Sequence, residues 1–212
     1  MSARELKELK SELYTYVRNR FPFLPNSAIE KVITTINNYG LNGDLSEKEI
    51  IEKGIERWEK RYKENAKLID SCCEKLGEII GVRGCSDRVK YYATIMVDNA
   101  IRGVPTYCDI RKSKDKIYLY NSGPYRATIK GGKLEIEKGK KMESFCVLYG
   151  AQRVTKEFYK VNRPLPMLCE IANTIQEKFN EKITGKKIKI NKKRRISPDG
   201  FVSCVEEIIL KE

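Results

Sequence analysis

Residues 107–141 read YCDIRKSKDKIYLYNSGPYRATIKGGKLEIEKGKK, and this stretch carries most of the strand signal in the chain. β-branched and aromatic residues alternate with polar ones in four short segments, at 107–111, 116–121, 125–130 and 133–138. Turn-forming residues lie between these segments, at Ser113-Lys114, Asn121–Pro124 and Gly131-Gly132. The pattern predicts an antiparallel β-meander.

Helical patterns flank the meander on both sides. Apolar residues at helical spacing predict helices over 3–20, 26–40, 46–80, 86–103, 142–161 and 167–183. Alternation returns near the end of the chain and predicts strands over 186–196 and 201–210, with a turn at 197–200. The sequence therefore predicts an α/β fold with a mixed central sheet built on an antiparallel meander and flanked by helices. Residues 1–85 are expected to form an N-terminal helical elaboration, and residues 86–212 the α/β core.

The predicted helix 46–80 opens with a capping box, in which Ser46 is followed three residues later by Glu49. A long apolar stripe follows, broken at Asn65, and consists of Ile51, Ile55, Trp58, Tyr62, Ile69, Cys72, Leu76 and Ile79. A stripe of this length packs either on a second subunit or on the core of its own chain. The first alternative predicts a homodimer.

The charge balance of the chain is strongly basic. Its 212 residues include 42 Lys and Arg against 29 Asp and Glu, which gives a net charge of +13. Such an excess favours a polyanionic partner, either nucleic acid or an anionic membrane surface. No apolar run approaches the length of a membrane span, and the N-terminus is a charged helical pattern rather than a signal peptide. We therefore expect a cytoplasmic protein that binds DNA and no membrane.

The chain contains seven cysteines and no histidine. A Ser-His-Asp triad, a Cys-His dyad and a histidine-ligated zinc site are therefore impossible within it. No two cysteines have Cys-x-x-Cys spacing, which argues against a zinc ribbon. Most of the cysteines occupy apolar positions and are expected to be buried, and an intracellular disulfide is expected only in a hyperthermophile.

Four acidic residues lie on or beside the meander strands, namely Asp109, Asp115, Glu135 and Glu137. Lysines lie close by, and Lys138 directly follows Glu137. Two or three carboxylates beside a lysine on neighbouring strands are what a Mg²⁺-dependent phosphodiesterase needs, since they hold the cation while the lysine steadies water or developing charge. Leu134 and Ile136 are expected to point inward, so Glu135 and Glu137 share the opposite face of their strand. That face is either a solvated surface or part of a metal site, and Asp109 and Asp115 serve either as ligands or as turn caps.

The order of helix, meander, helix and strand, with Leu134–Lys138 on the last meander strand, resembles the core of the PD-(D/E)XK nuclease superfamily. RecB-type nucleases and archaeal Holliday-junction resolvases belong to this superfamily. The resemblance implies a nuclease-like core in which Asp115 (or Asp109), Glu135 and Glu137 hold Mg²⁺ or Mn²⁺ and Lys138 supports the nucleophile. Gln152, with Tyr159, matches the Gln and Tyr that follow the motif in RecB-like members. Here Glu-x-Glu stands in place of Glu-x-Lys, and neither Asp follows a proline.

The chain as a whole also resembles small nuclease-fold proteins from spindle-shaped viruses of hyperthermophilic archaea. This resemblance implies a viral protein that acts in the host cytoplasm. Together the two resemblances imply an endonuclease for duplex or branched DNA, such as Holliday junctions, in replication, repair or recombination. A second place for the carboxylates is Pro198-Asp199 with Glu206 and Glu207, although no helix follows it.

Basic residues are concentrated near the end of the chain, at Lys186, Lys187, Lys189, Lys192, Lys193, Arg194 and Arg195. Such a run either protects a sheet edge or tracks a phosphate backbone. The second interpretation assigns these residues to DNA binding. It also leaves a rival to the endonuclease, namely a non-catalytic nucleic-acid-binding protein with a basic surface.

Overall fold

The computed structural model describes residues 3–40, 45–81, 86–113 and 116–210. Its α-helices are α1 (Ala3–Arg20), α2 (Asn26–Asn38), α3 (Glu47–Ile80), α4 (Ser86–Ile101), α5 (Val147–Val154) and α6 (Leu165–Thr184). Its strands are β1 (Tyr107–Ser113), β2 (Lys116–Lys130), β3 (Lys133–Phe145), β4 (Ile188–Lys193), β5 (Phe201–Val202) and β6 (Val205–Leu210). A π-helical turn over Thr155–Tyr159 continues α5.

The strands form one sheet in the order β4-β6-β2-β3-β5, and β1 pairs with β2 beside this path. All strand pairings within the described ranges are antiparallel. β1, β2 and β3 are the predicted meander, and the turn at Gly131-Gly132 has the positive φ angles, 56° and 74°, that glycine adopts readily. The predicted α/β fold built on an antiparallel meander is therefore confirmed, and the sheet is antiparallel throughout the described strands where a mixed sheet was predicted.

The predicted turn at Asn121–Pro124 is wrong, because β2 runs through it as one strand of 15 residues. The β2–β3 register shifts between Gly123 and Tyr125, so three residues of β3 face Pro124 alone. Pro124 is tolerated at such an irregularity because it has no backbone N–H to donate. Gly123 is required there, since a Cβ at this position would lie 2.1 Å from the carbonyl oxygen of Cys108 on β1.

The predicted start of a helix at Met142 is also wrong, because residues 142–145 continue β3. Two sets of bonds hold this segment extended. Met142 and Glu143 pair with β2, and the backbone N–H of Tyr107 donates to the Ser144 hydroxyl at 2.8 Å. The helix begins at Val147, where the Cys146 thiol accepts from the N–H of Tyr149. The last predicted strand likewise divides into β5 and β6 around residues 203–204.

The long helix α3 has the predicted capping box, with Ser46 and Glu49 each bonding the backbone N–H of the other. Asn65 leaves the helical region, with φ −128° and ψ 21°, at the predicted break in the stripe. The stripe packs within the chain, since Ile69 is buried in a core shared with α4 and the sheet, and Trp58 contacts the same core. The homodimer stays a prediction. No helix in the described ranges is long and apolar enough to cross a membrane.

Two main cores hold the elements together. The larger lies between one face of the sheet and helices α3, α4 and α6. The smaller joins α1 and α2 to α5 and the start of α6. Helices that precede residue 85 thus contribute to both cores, and the domain boundary at residue 85 stays a prediction.

Six of the seven cysteines lie in the described chain, and Cys85 lies outside it. Five of the six are buried, as predicted for small apolar residues. Burial raises the pKa of the Cys108 thiol to about 12 and that of Cys146 to about 11, so these thiols stay protonated at neutral pH.

Candidate nucleic-acid-binding surface

The sheet has one apolar face and one polar face. Cys108, Ile110, Ile117, Leu119 and Ile208 point into the larger core. Because side chains alternate along a strand, their neighbours point away from it. We call this second face, on β1, β2, β6 and β4, the outer face. It consists of Tyr107, Asp109 and Arg111 of β1; Lys116, Tyr118 and Tyr120 of β2; Val205, Glu207 and Ile209 of β6; and Lys189, Asn191 and Lys193 of β4.

Tyrosines lie at the centre of the outer face. In one row across the strands Tyr118 lies between Arg111 of β1 and Glu207 of β6. In the next row Tyr120 lies between Asp109 and Val205. The guanidinium of Arg111 lies 5.0 Å from the centroid of the Tyr120 ring, within cation–π distance. Both tyrosines are partly exposed.

The carboxylates on the outer face are bonded to basic and polar neighbours. The Arg111 guanidinium lies 2.8 Å from the Asp109 carboxylate, and this contact raises the pKa of Arg111. Glu207 accepts hydrogen bonds from Asn191 at 3.1 Å, Lys116 at 3.0 Å and Tyr118 at 3.2 Å. These bonds, with that of Asn191 the largest cause, lower the pKa of Glu207. Each of the two carboxylates is thus paired with a basic neighbour, and these contacts fix the neighbouring side chains in place.

Glu135 and Glu137 lie side by side on β3, on the side of the sheet predicted for them. Lys130 of β2 joins them, with its ammonium 3.3 Å from Glu135 and 2.5 Å from Glu137. Its hydrogen bond is the main cause that lowers the pKa of Glu137. Both side chains are about half exposed. Lys138 lies on the other side of the strand, 6.0 Å from the Tyr125 ring centroid.

The remaining predicted catalytic residues lie apart from this pair. Asp109 is on β1 opposite Tyr120 of β2, whereas Glu135 and Glu137 of β3 lie opposite Thr128 and Arg126, further along β2. Gln152 lies on α5 and donates to Asn162 at 3.4 Å. Asp115 lies outside the described residues.

The described carboxylates do not fit a shared Mg²⁺ site. In the described part of the chain no group of three His, Cys, Asp or Glu side chains is placed to hold a metal ion. Asp109 is engaged by Arg111, and Glu135 and Glu137 by Lys130. The metal site, with Asp115 as a ligand, stays a prediction.

The basic run divides into surface residues and one inward residue. Lys189 and Lys193 belong to the outer face, while Lys186, Lys187, Arg194 and Arg195 lie exposed at the two ends of β4. Lys187 and Lys189 reach acidic groups of α6, Glu181 at 3.6 Å and Glu177 at 3.3 Å. Lys192 instead points inward, so it is not on the surface that a phosphate backbone can reach.

Sequence reasoning missed the buried partner of Lys192. Its ammonium lies 2.5 Å from Glu206, whose side chain is only 3% exposed and also accepts hydrogen bonds from Tyr91 at 2.8 Å and Asn121 at 3.3 Å. The signal was present in the alternation, since Lys192 is in phase with Ile188 and Ile190. The tyrosines of the outer face were missed in the same way, although Ile117-Tyr118-Leu119-Tyr120 shows the alternation plainly.

Comparison of the chain with protein-family models, with curated proteins and with solved structures finds no match.

Proposed function

We propose that the protein binds single-stranded nucleic acid across the outer face of its sheet. Tyr118 and Tyr120 stack on bases, and basic side chains along the two flanking strands hold the phosphates. The observation that carries the proposal is the pair of partly exposed tyrosines at the centre of the outer face. Aromatic side chains on an open sheet are a common platform for unpaired bases, which present their faces as well as their edges.

The spacing of the strands suits this role. Tyr118 and Tyr120 are two residues apart on one strand, which places their side chains about 7 Å apart along it. β1 and β4 lie on either side of β2 and β6, so Arg111 and Lys193 flank the tyrosines across about 14 Å. A single strand laid over the face can therefore stack on the tyrosines while its backbone reaches a basic side chain on either side.

The overall charge supports the same partner. The net charge of +13 draws polyanions to the surface at long range, and exposed lysines extend the basic region beyond β4. Phosphate contacts of this kind release counterions, so affinity for a single strand falls with salt in proportion to the contacts made.

Metal-dependent cleavage of duplex or branched DNA is a second candidate, and the observation in its favour is the side-by-side placement of Glu135 and Glu137. Binding without cleavage is supported better, because the carboxylates of the outer face and of β3 are each engaged by a basic neighbour.

The test is a fluorescence anisotropy titration with a labelled single-stranded oligonucleotide, its duplex and a four-way junction. Stacking contributes about 1–3 kcal/mol per base, so Tyr118→Ala with Tyr120→Ala is expected to weaken single-strand binding at least about 30-fold. The matched control is Tyr118→Phe with Tyr120→Phe, which keeps both rings and is expected to bind nearly as the wild type.

A second control is Lys48→Gln with Lys60→Gln, which removes two charges from α3 while leaving the outer face unchanged. Circular dichroism and thermal melting confirm that each variant is folded. Preferred binding of the duplex, or single-strand binding that survives loss of both tyrosine rings, would refute the stacking platform. Cutting of the junction in Mg²⁺ or Mn²⁺ would favour the endonuclease instead.

A further inference from the structure

A cavity of about 200 Å³ opens between α2, α3 and α4 on one side and the strand ends near α5 on the other. Five of its lining residues are cationic, and Asp98 is the single acidic one among those that the structure describes. The cavity does not include the tyrosines or arginine of the outer face. It is therefore a separate, positively charged site.

Asp98 cannot neutralise this cluster. Its carboxylate lies 3.4 Å from Lys31, 2.8 Å from Arg61 and 3.0 Å from Arg102, so one negative charge is shared among three positive ones. Asp98 and Lys31 are both largely buried, with side chains 9% and 14% exposed. Like charges held this close and partly out of water repel one another unless an anion joins them.

Arg57 adds a fourth cation without a bonding partner. Its guanidinium is partly buried and makes no hydrogen bond or ion pair within the described ranges, with Tyr39 and Asp98 as its electrostatic neighbours. Burial, the largest influence on the pKa of Arg57, lowers it. The carboxamide oxygen of Gln176, which lines the same cavity, is buried and has no hydrogen-bond partner among the residues described. A partly exposed cation and a buried acceptor therefore lie in one cavity, where a ligand that carries both an anionic group and a hydrogen-bond donor can contact both.

We propose that this cavity binds a phosphate monoester, with the phosphate between Lys31, Arg57, Arg61 and Arg102. Four cations against one carboxylate leave an excess that a dianion offsets better than a carboxylate would. The guanidinium groups of Arg57 and Arg61 offer the paired N–H donors that match phosphate oxygens. The organic part of the ligand rests on the apolar wall, which includes Trp58, Ile95 and Val104.

Lys31 makes the binding proton-linked. Burial, opposed by Asp98 and reinforced by Arg61 and Arg102, lowers the pKa of Lys31 to about 8. Asp98, Arg61, Arg102 and Asn99 are the charged and polar groups around it. A bound dianion favours the ammonium form, so affinity is expected to fall as pH rises through about 8.

Two sources share this chemistry, namely a free nucleoside monophosphate and the terminal phosphate of a polynucleotide. Isothermal titration calorimetry with AMP, adenosine and inorganic phosphate tests the first. Anisotropy with a 5′-phosphorylated oligonucleotide and its 5′-hydroxyl twin tests the second. Binding that requires the phosphate in either pair supports the site, and the pair that shows it identifies the source.

The informative variant is Arg57→Gln, because Arg57 makes no bond to Asp98 and its loss leaves that carboxylate with its three partners. We expect at least a tenfold loss of phosphate-dependent affinity. Lys60→Gln, which removes an exposed charge from the same helix, is expected to bind as the wild type.

The proposal is overturned if neither AMP, inorganic phosphate nor a 5′-phosphate is bound at millimolar concentration, or if Arg57→Gln binds them unchanged. Phosphate binding in the cavity is tested independently of the outer face, because Tyr118 and Tyr120 do not line the cavity and their replacement by alanine leaves it unchanged. If one of the two binding sites is refuted, the proposal for the other is unaffected.

Discussion

Replacement of Lys192 by methionine is expected to destabilise the fold strongly, whereas the same replacement of its neighbour Lys193 is not. The Lys192 side chain is 14% exposed, and its partner Glu206 is 3% exposed. Methionine keeps most of the lysine stem but leaves Glu206 as a buried charge without its cation. Removal of one partner of such a pair costs about 3–5 kcal/mol.

The expected effect is large enough to measure by thermal or urea unfolding. For a chain of this size 1 kcal/mol corresponds to about 2–4 °C, so Lys192→Met is expected to lower the Tm by roughly 10 °C. Lys193→Met removes an exposed charge and is expected to cost less than about 0.5 kcal/mol. The double variant Lys192→Met with Glu206→Gln is expected to recover much of the loss, because no unpaired charge is then buried.

The pair also predicts a dependence on pH. Burial alone would raise the pKa of Glu206, but Lys192, Tyr91 and Asn121 together lower it below its usual value of 4.5. Glu206 therefore contributes stability that is present above about pH 4.5 and is lost as the pH falls through the lowered pKa of the folded state. In that acidic range the unfolding free energy of the wild type is expected to fall more steeply with decreasing pH than that of the double variant, which lacks the Glu206 carboxylate.

A Tm for Lys192→Met as close to the wild type as that of Lys193→Met would refute the reasoning. That outcome would mean that Lys192 lies on the surface and that β4 pairs with β6 in a register shifted by one residue, since such a shift exchanges the two faces of a strand.

Two further predictions concern the meander. Gly123→Ala is expected to destabilise the protein by about 1–3 kcal/mol or more in a urea titration, because the new Cβ meets the backbone of β1. The control is Gly139→Ala, whose new Cβ meets no atom within 4 Å and which is expected to be nearly neutral. Glu135→Gln with Glu137→Gln is expected to strengthen single-strand binding a few-fold in an anisotropy titration, because Lys130 loses its two ion-pair partners and becomes available to phosphate. If the wild type cuts DNA in Mg²⁺ and this variant does not, the endonuclease is favoured instead.

The architecture could be predicted from the sequence where local signals agree with the fold. The capping box at Ser46, the break at Asn65 and the glycine turn between β2 and β3 all depend on nearby residues. The predicted turn at Asn121–Pro124 failed because a contact distant in sequence decides it. Gly123 lets the backbone of β1 approach, and no local pattern distinguishes that use of glycine from a turn.

The candidate site was less predictable for a related reason. The sequence shows where the carboxylates and lysines are, but their partners across the sheet depend on the register of the strands. Asp109 pairs with Arg111, and Lys130 with the two glutamates of β3, because the strands bring these residues together. Ion pairing of this kind can be assigned only once the pairing of strands is known.

Neighbouring residues of the same type have opposite roles in this sheet. Lys192 and Glu206 point inward and form a buried pair, whereas Lys193 and Glu207, one position along, belong to the outer face. Lys192 also lines the cavity, as does Asn121, which donates to Glu206. A comparison between adjacent positions therefore isolates the contribution of location from that of charge. Loss of the inward lysine should appear in the Tm, and loss of the outward one in the salt dependence of nucleic-acid binding.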